Sequence, residues 1–121
     1  MNITKQILIF ERQRRLPEHF SWVDHRLVRE HYIEKADTSA WALYLFLVTV
    51  ADARGLSYYG DTQLARRLHL TPERLAIARR DLLILDLIAY DPPLYQVLSM
   101  PENVPVATRL ARLHAILEER S

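Results

Sequence analysis

Between residues 61 and 98 the order of local signals leaves few arrangements open. Thr71-Pro72-Glu73 joins a hydroxyl N-cap, a proline at the first helical position and an acid in the first turn, a strong helix start. Leu75, Ala78, Leu82 and Leu85 then mark the inward stripe of that helix. Upstream, Asp61 or Thr62 caps a shorter helix through Leu68, with Leu64, Ala65 and Leu68 apolar, and His69-Leu70 forms the turn between the two. Downstream, residues 87–90 and 94–98 read as two short strands around a tight Asp91-Pro92-Pro93 connection.

The rest of the chain frames this segment. With 121 residues, half of them hydrophobic and 26% charged, it reads as one domain with a single core. Two glycines leave little loop-forming material, so much of the chain should be helical. Residues 6–10 (QILIF) are too few to separate strand from helix turn by periodicity. Arg12, Arg14 and Arg15 follow, either as a solvated tether or as a phosphate contact. Phe20, Val23, Leu27, Val28 and Tyr32 recur at helical spacing and predict a helix over about residues 22–35, with Ser21 as N-cap. Between 18 and 37 five acids face three bases, a net −2 that discourages contact with phosphates. The Asp37-Thr38-Ser39 cluster starts a second helix over 40–53, apolar nearly all round and so expected at the domain centre, ending near Gly55 in a left-handed C-cap. Residues 56–59 have strand character, and Gly60 makes a turn. Beyond Pro101 and Pro105, Val106, Leu110, Leu113 and Leu117 stripe a last helix over about 106–120, which would dock on the domain or pair with a second copy.

Two short helices, a tight turn and a hairpin make the element order of a winged helix-turn-helix, whose second helix often lies in a DNA major groove. The expected fold is therefore mainly α with a small β-hairpin, a winged helix-turn-helix with extra N- and C-terminal helices in one domain, its core at about 20–98. The buried-helix run ALYLFLV, then Leu64-Ala65, then Leu75, Ala78 and Leu82 followed by Leu87-Ile88, resembles the winged-helix domain of plasmid replication initiators and primosomal DnaD-like proteins. That resemblance covers roughly residues 20–98 and implies replication or regulatory work on DNA. Asp86 departs from it, standing where such domains usually place glycine, and the loop 90–93 carries no Lys or Arg. Contact with DNA through that loop is accordingly not expected.

Five arginines against three acids give residues 61–81 a net +2. Arg66, Arg67, Arg79 and Arg80 suit phosphate oxygens, because guanidinium forks match them. Thr71, Glu73, Arg74 and Ile77 sit at or near the start of the second helix, where base edges are read, and Arg74 can pair with guanine. Double-stranded DNA is thus the expected partner, with a homodimer through the C-terminal helix. A protein-only adaptor, docking through Ala76 and Ile77 or through the Val106–Leu117 stripe, is the alternative. No cysteine is present, the five histidines lack metal spacing, and no phosphate loop or nucleophile elbow occurs. Neither catalysis, a metal, a cofactor nor a small-molecule ligand is expected. The longest apolar run, residues 40–48, is far below the ~18 needed to span a bilayer. A cytoplasmic protein without a membrane partner is the reading.

Overall fold

The computed structural model describes residues 4–101 together with His114 and Leu117, which are helical and exposed. The Val106, Leu110 and Leu113 positions of the C-terminal stripe lie outside the described residues. Within residues 4–101, four α-helices and three strands follow in order: α1 (Arg26–Arg29), α2 (Thr38–Val50), β1 (Leu56–Tyr58), α3 (Asp61–Leu68), α4 (Pro72–Ile84), β2 (Ile88–Asp91) and β3 (Leu94–Val97). The architecture is mixed, not mainly helical. β1 joins the hairpin on the far side of β3 to make an antiparallel sheet of order β1-β3-β2. Leu56 pairs with Gln96 and Tyr58 with Leu94, while Ile88 pairs with Val97 and Asp91 with Leu94. Gln96 thereby sits between two strands, which the hairpin expectation alone did not provide.

The core lies where α2 crosses α4 and both meet the sheet. Leu43 and Leu47 from α2, Leu64 from α3, Leu75, Ala78 and Leu82 from α4, and Leu87 and Tyr95 beyond them are fully buried. Burying each leucine contributes about 1.5–3 kcal/mol, enough to select this packing over local preference. α2 starts where the Asp37 carboxylate accepts the Ala40 N–H at 3.1 Å. It is apolar all round yet not buried all round, for Leu45 faces solvent.

The expected helix over 22–35 does not form. Only α1, a single turn, and a 3-10 turn at Tyr32–Lys35 occupy that stretch. The Asp24 carboxylate accepts the Arg26 N–H at 2.9 Å and binds the Arg26 side chain, so the turn starts there and not at Ser21. His31 then adopts a left-handed φ of 63° that ends it. Leu27 alone of this apolar stripe is buried.

α2 likewise ends at Val50, short of the expected 53. The Asp52 carboxylate folds the chain back by accepting N–H groups from Arg54 (2.8 Å) and Leu56 (2.9 Å). Gly55 therefore belongs to the turn into β1, not to a helix cap. Its φ is +85°, and a Cβ there would stand 2.6 Å from the Val97 carbonyl oxygen. Val97 N–H donates to the Gly55 carbonyl at 2.8 Å, which draws the two backbones together.

The turn between α3 and α4 follows a Schellman pattern. Leu70 N–H reaches the Ala65 carbonyl and His69 N–H the Arg66 carbonyl, with His69 left-handed at φ 57°. Thr71 Oγ1 then accepts the Arg74 N–H at 3.1 Å, and Pro72 opens α4. α4 closes the same way. Leu87 N–H donates to the Leu82 carbonyl and Asp86 N–H to that of Leu83, with Asp86 at φ 61°. Aspartate is one of the few side chains that tolerate this conformation, so the missing glycine does not change the turn type. Pro92 and Pro93, joined by a cis peptide, connect β2 to β3.

Candidate nucleic-acid interface

Helix α4 divides its residues sharply. Leu75, Ala78, Arg79, Leu82 and Leu83 point inward, whereas Glu73, Ala76, Ile77, Arg80 and Ile84 share the outer face. Positions 73, 77, 80 and 84 recur at i, i+4, i+7 and i+11, the spacing of one helix side. This outer face, with the exposed end of α3, is the surface a nucleic acid could approach.

Arg79 is a correction to the sequence reading. It was expected on phosphate, but it is only 6% exposed. Its guanidinium donates to both oxygens of Asp61, at 2.7 and 3.1 Å, and to the Tyr95 hydroxyl at 2.6 Å. The Tyr90 ring lies 4.5 Å from the guanidinium carbon and stacks on Tyr95 at 4.3 Å. Burial alone would lower the pKa of this cation; its hydrogen bonds to Asp61 and Tyr95 more than reverse that and raise it. Burial pushes the Tyr95 hydroxyl up as well, against the opposing pull of Arg79. Arg79 thus ties the first turn of α3 to both hairpin strands. Asp61, for its part, is not the N-cap of α3; Gly60 holds that place and the carboxylate serves Arg79.

The other candidates remain at the surface with different commitments. Arg74 is exposed but pairs with Asp37 at 3.0 Å, which links α4 to the start of α2. Thr71 spends its hydroxyl on the cap. Arg67 lies over the Phe46 ring at 5.5 Å, and Phe46 meets Tyr59 edge-to-face at 5.0 Å. Arg66 and Arg80 are exposed, with no ion pair to another described residue. Glu73 is exposed on the same face, and Ile77 is 36% exposed. The net +2 read from the sequence therefore overstates the available charge by one, since Asp37, from outside the segment, engages Arg74, while the Arg79–Asp61 pair already cancels within it.

Two tyrosines at the end of β1 were not singled out from the sequence. Tyr58, on edge strand β1, is exposed, and Tyr59 N–H donates to the Pro93 carbonyl at 3.1 Å, which holds the β1 end against the 92–93 loop. The alternation of 57, 58 and 59 along a strand is the signal that would have separated the inward from the outward tyrosine. Among the described residues no group of three or more His, Asp or Glu is placed to hold a metal ion. Nor is any described helix long and apolar enough to cross a membrane.

No protein-family model, curated protein or solved structure matches this chain.

Proposed function

We propose that the chain is a winged helix-turn-helix module that contacts double-stranded DNA through the outer face of α4 and the end of α3. One observation carries the reading: two helices joined by a Schellman turn, the second presenting a solvent-facing side with Arg80 near its middle, stand on a sheet that ends in a hairpin. The resemblance to replication initiators and primosomal DnaD-like proteins agrees with that order and makes replication or regulation of DNA the process served.

In this reading Arg66, Arg67 and Arg80 meet phosphates, while Glu73, Arg74 and Ile77 face base edges. Thr71 contributes by fixing the start of α4. Arg79 is a positioning residue that holds α4 against α3 and the hairpin. The loop 92–93 adds no cation, so affinity depends on a few guanidinium contacts and should fall with salt at a log–log slope of about −0.9 per contact. Fluorescence anisotropy with duplex fragments from the source genome, at low and physiological salt, tests this. Binding that weakens with salt at the slope of about three phosphate contacts is the expected result; no binding at low salt overturns the proposal.

A second reading, a protein-docking adaptor, is favoured by the two isoleucines on the same face, Ile77 and Ile84, the latter 53% exposed. The arginines separate the two. Losing Arg66 and Arg80 weakens DNA binding in the first reading and leaves an apolar contact through Ile77 intact in the second.

A further inference from the structure

The N-terminal stretch is unlike the rest of the molecule. Every residue from 4 to 23 is exposed, although the stretch contains Ile7, Leu8, Ile9, Phe10, Leu16, Phe20, Trp22 and Val23. Leu8 is 94% exposed, and Phe10 and Trp22 are above 70%. Aromatic side chains carry about 150–250 Å² each. Phe10, Phe20 and Trp22 with the aliphatic residues together approach the roughly 800 Å² that one partner brings to a stable interface. A monomer in water rarely leaves so much apolar surface uncovered.

A receptor for such an arm opens at its own root. Phe20 and Trp22 wall a pocket of about 390 Å³ whose floor includes Tyr44, Val48 and Met100. Its charged lining consists of Asp24, Asp52 and Arg54. Segment 5–12 shows the opposite pattern: Lys5 and Arg12 bracket the run 7–10, with Glu11 beside them. Both pocket carboxylates are held ionised, Asp24 by the Arg26 side chain and Asp52 by the Leu56 and Arg54 N–H groups. Every copy carries both arm and pocket, which is what a two-fold exchange between identical copies requires.

We propose that segment 5–12 of one copy of this chain docks in the Phe20–Trp22 pocket of a second copy, and reciprocally, making an arm-exchanged homodimer. Leu8 and Phe10 enter the pocket, and Lys5 and Arg12 lie against its carboxylates. The dimer does not depend on DNA. It also gives the arm a role that neither a tether nor a phosphate contact would explain, because both leave the run 7–10 in water.

The absence of cysteine makes a site-specific test simple. The full chain carrying Leu8→Cys and Ala53→Cys, both at exposed positions, is treated with a short bismaleimide and run on a denaturing gel. A covalent dimer is expected, and light scattering of the parent chain at high micromolar concentration should give twice the monomer mass. Leu8→Glu with Phe10→Glu should return the monomer mass with an unchanged circular dichroism melt. Three results overturn the proposal: a parent chain monomeric at that concentration, a cross-link that stays within one chain, or a dimer indifferent to the Leu8 and Phe10 substitutions.

Discussion

Arg79 and Asp61 form a two-pronged ion pair, with N–O distances of 2.7 and 3.1 Å, in which the arginine side chain is buried and the aspartate half in water. That asymmetry makes the two deletions unequal. Asp61→Ala strands a buried guanidinium without its carboxylate. A fully buried pair broken this way costs about 3–5 kcal/mol, and the exposure of Asp61 reduces the expectation to about 2–3 kcal/mol. Arg79→Met leaves Asp61 able to rehydrate, keeps an apolar side chain against the Tyr90 ring and takes a hydrogen bond from the Tyr95 hydroxyl, at about 1–2 kcal/mol. Urea denaturation should rank Asp61→Ala as the more damaging; the reverse order would deny the pair its stabilising role.

Gly55 is the one position where backbone approach forbids a side chain. Its left-handed φ and the 2.6 Å from a built Cβ to the Val97 carbonyl oxygen act together. Gly55→Ala should lower stability by about 2 kcal/mol or more. The same change at Gly60, where a Cβ meets nothing within 4 Å, should cost far less. Comparing the two thermal midpoints checks this.

Ser57 lies buried opposite Tyr95 in the β1–β3 register, its hydroxyl without a hydrogen-bond partner among the described residues. Such a group costs about 1–3 kcal/mol to desolvate. Ser57→Ala should therefore raise the denaturation midpoint, and a drop in that midpoint would show that the hydroxyl has a partner in solution.

Stability should fall at both ends of the pH range for separate reasons. The Asp52 carboxylate is held below its ordinary 3.8 by the Leu56 and Arg54 N–H groups. Its contribution is thus present above pH 3.8 and lost as pH falls through the folded value. The Tyr95 hydroxyl is raised above its ordinary 10.0 by burial, so its contribution is full below pH 10 and lost as pH rises toward the folded value. Asp52→Asn should flatten the acid limb and Tyr95→Phe the alkaline one, each read from urea midpoints across pH.

What could be read in the sequence and what could not divide on physical lines. α3, α4 and the hairpin were legible because Thr71-Pro72, the Leu75–Ala78–Leu82 spacing and the 91–93 turn act over a few residues. The inward place of Arg79 was legible in principle, since 79 is four after Leu75 and three before Leu82 on the same helix side. Its charge hid it: a lone arginine reads as surface until its carboxylate, eighteen positions away, is known. The helix over 22–35 failed for the opposite reason. Its apolar spacing was regular, yet only Leu27 of that stripe is fully enclosed and Tyr32 packs half-buried against the core, and the Asp24–Arg26 contact started a shorter turn. The pairing of β1 with β3 is a long-range choice that no window of sequence contains.

The most direct test of DNA contact through α4 is the salt dependence of affinity for adjacent arginines. Arg80→Ala should weaken binding about equally on all duplexes and reduce the slope of log K against log salt by about one, with the thermal midpoint unchanged. Arg79→Met should lower the thermal midpoint and leave that slope as it was. A slope for Arg80→Ala equal to that of the parent chain would contradict contact between this helix face and DNA.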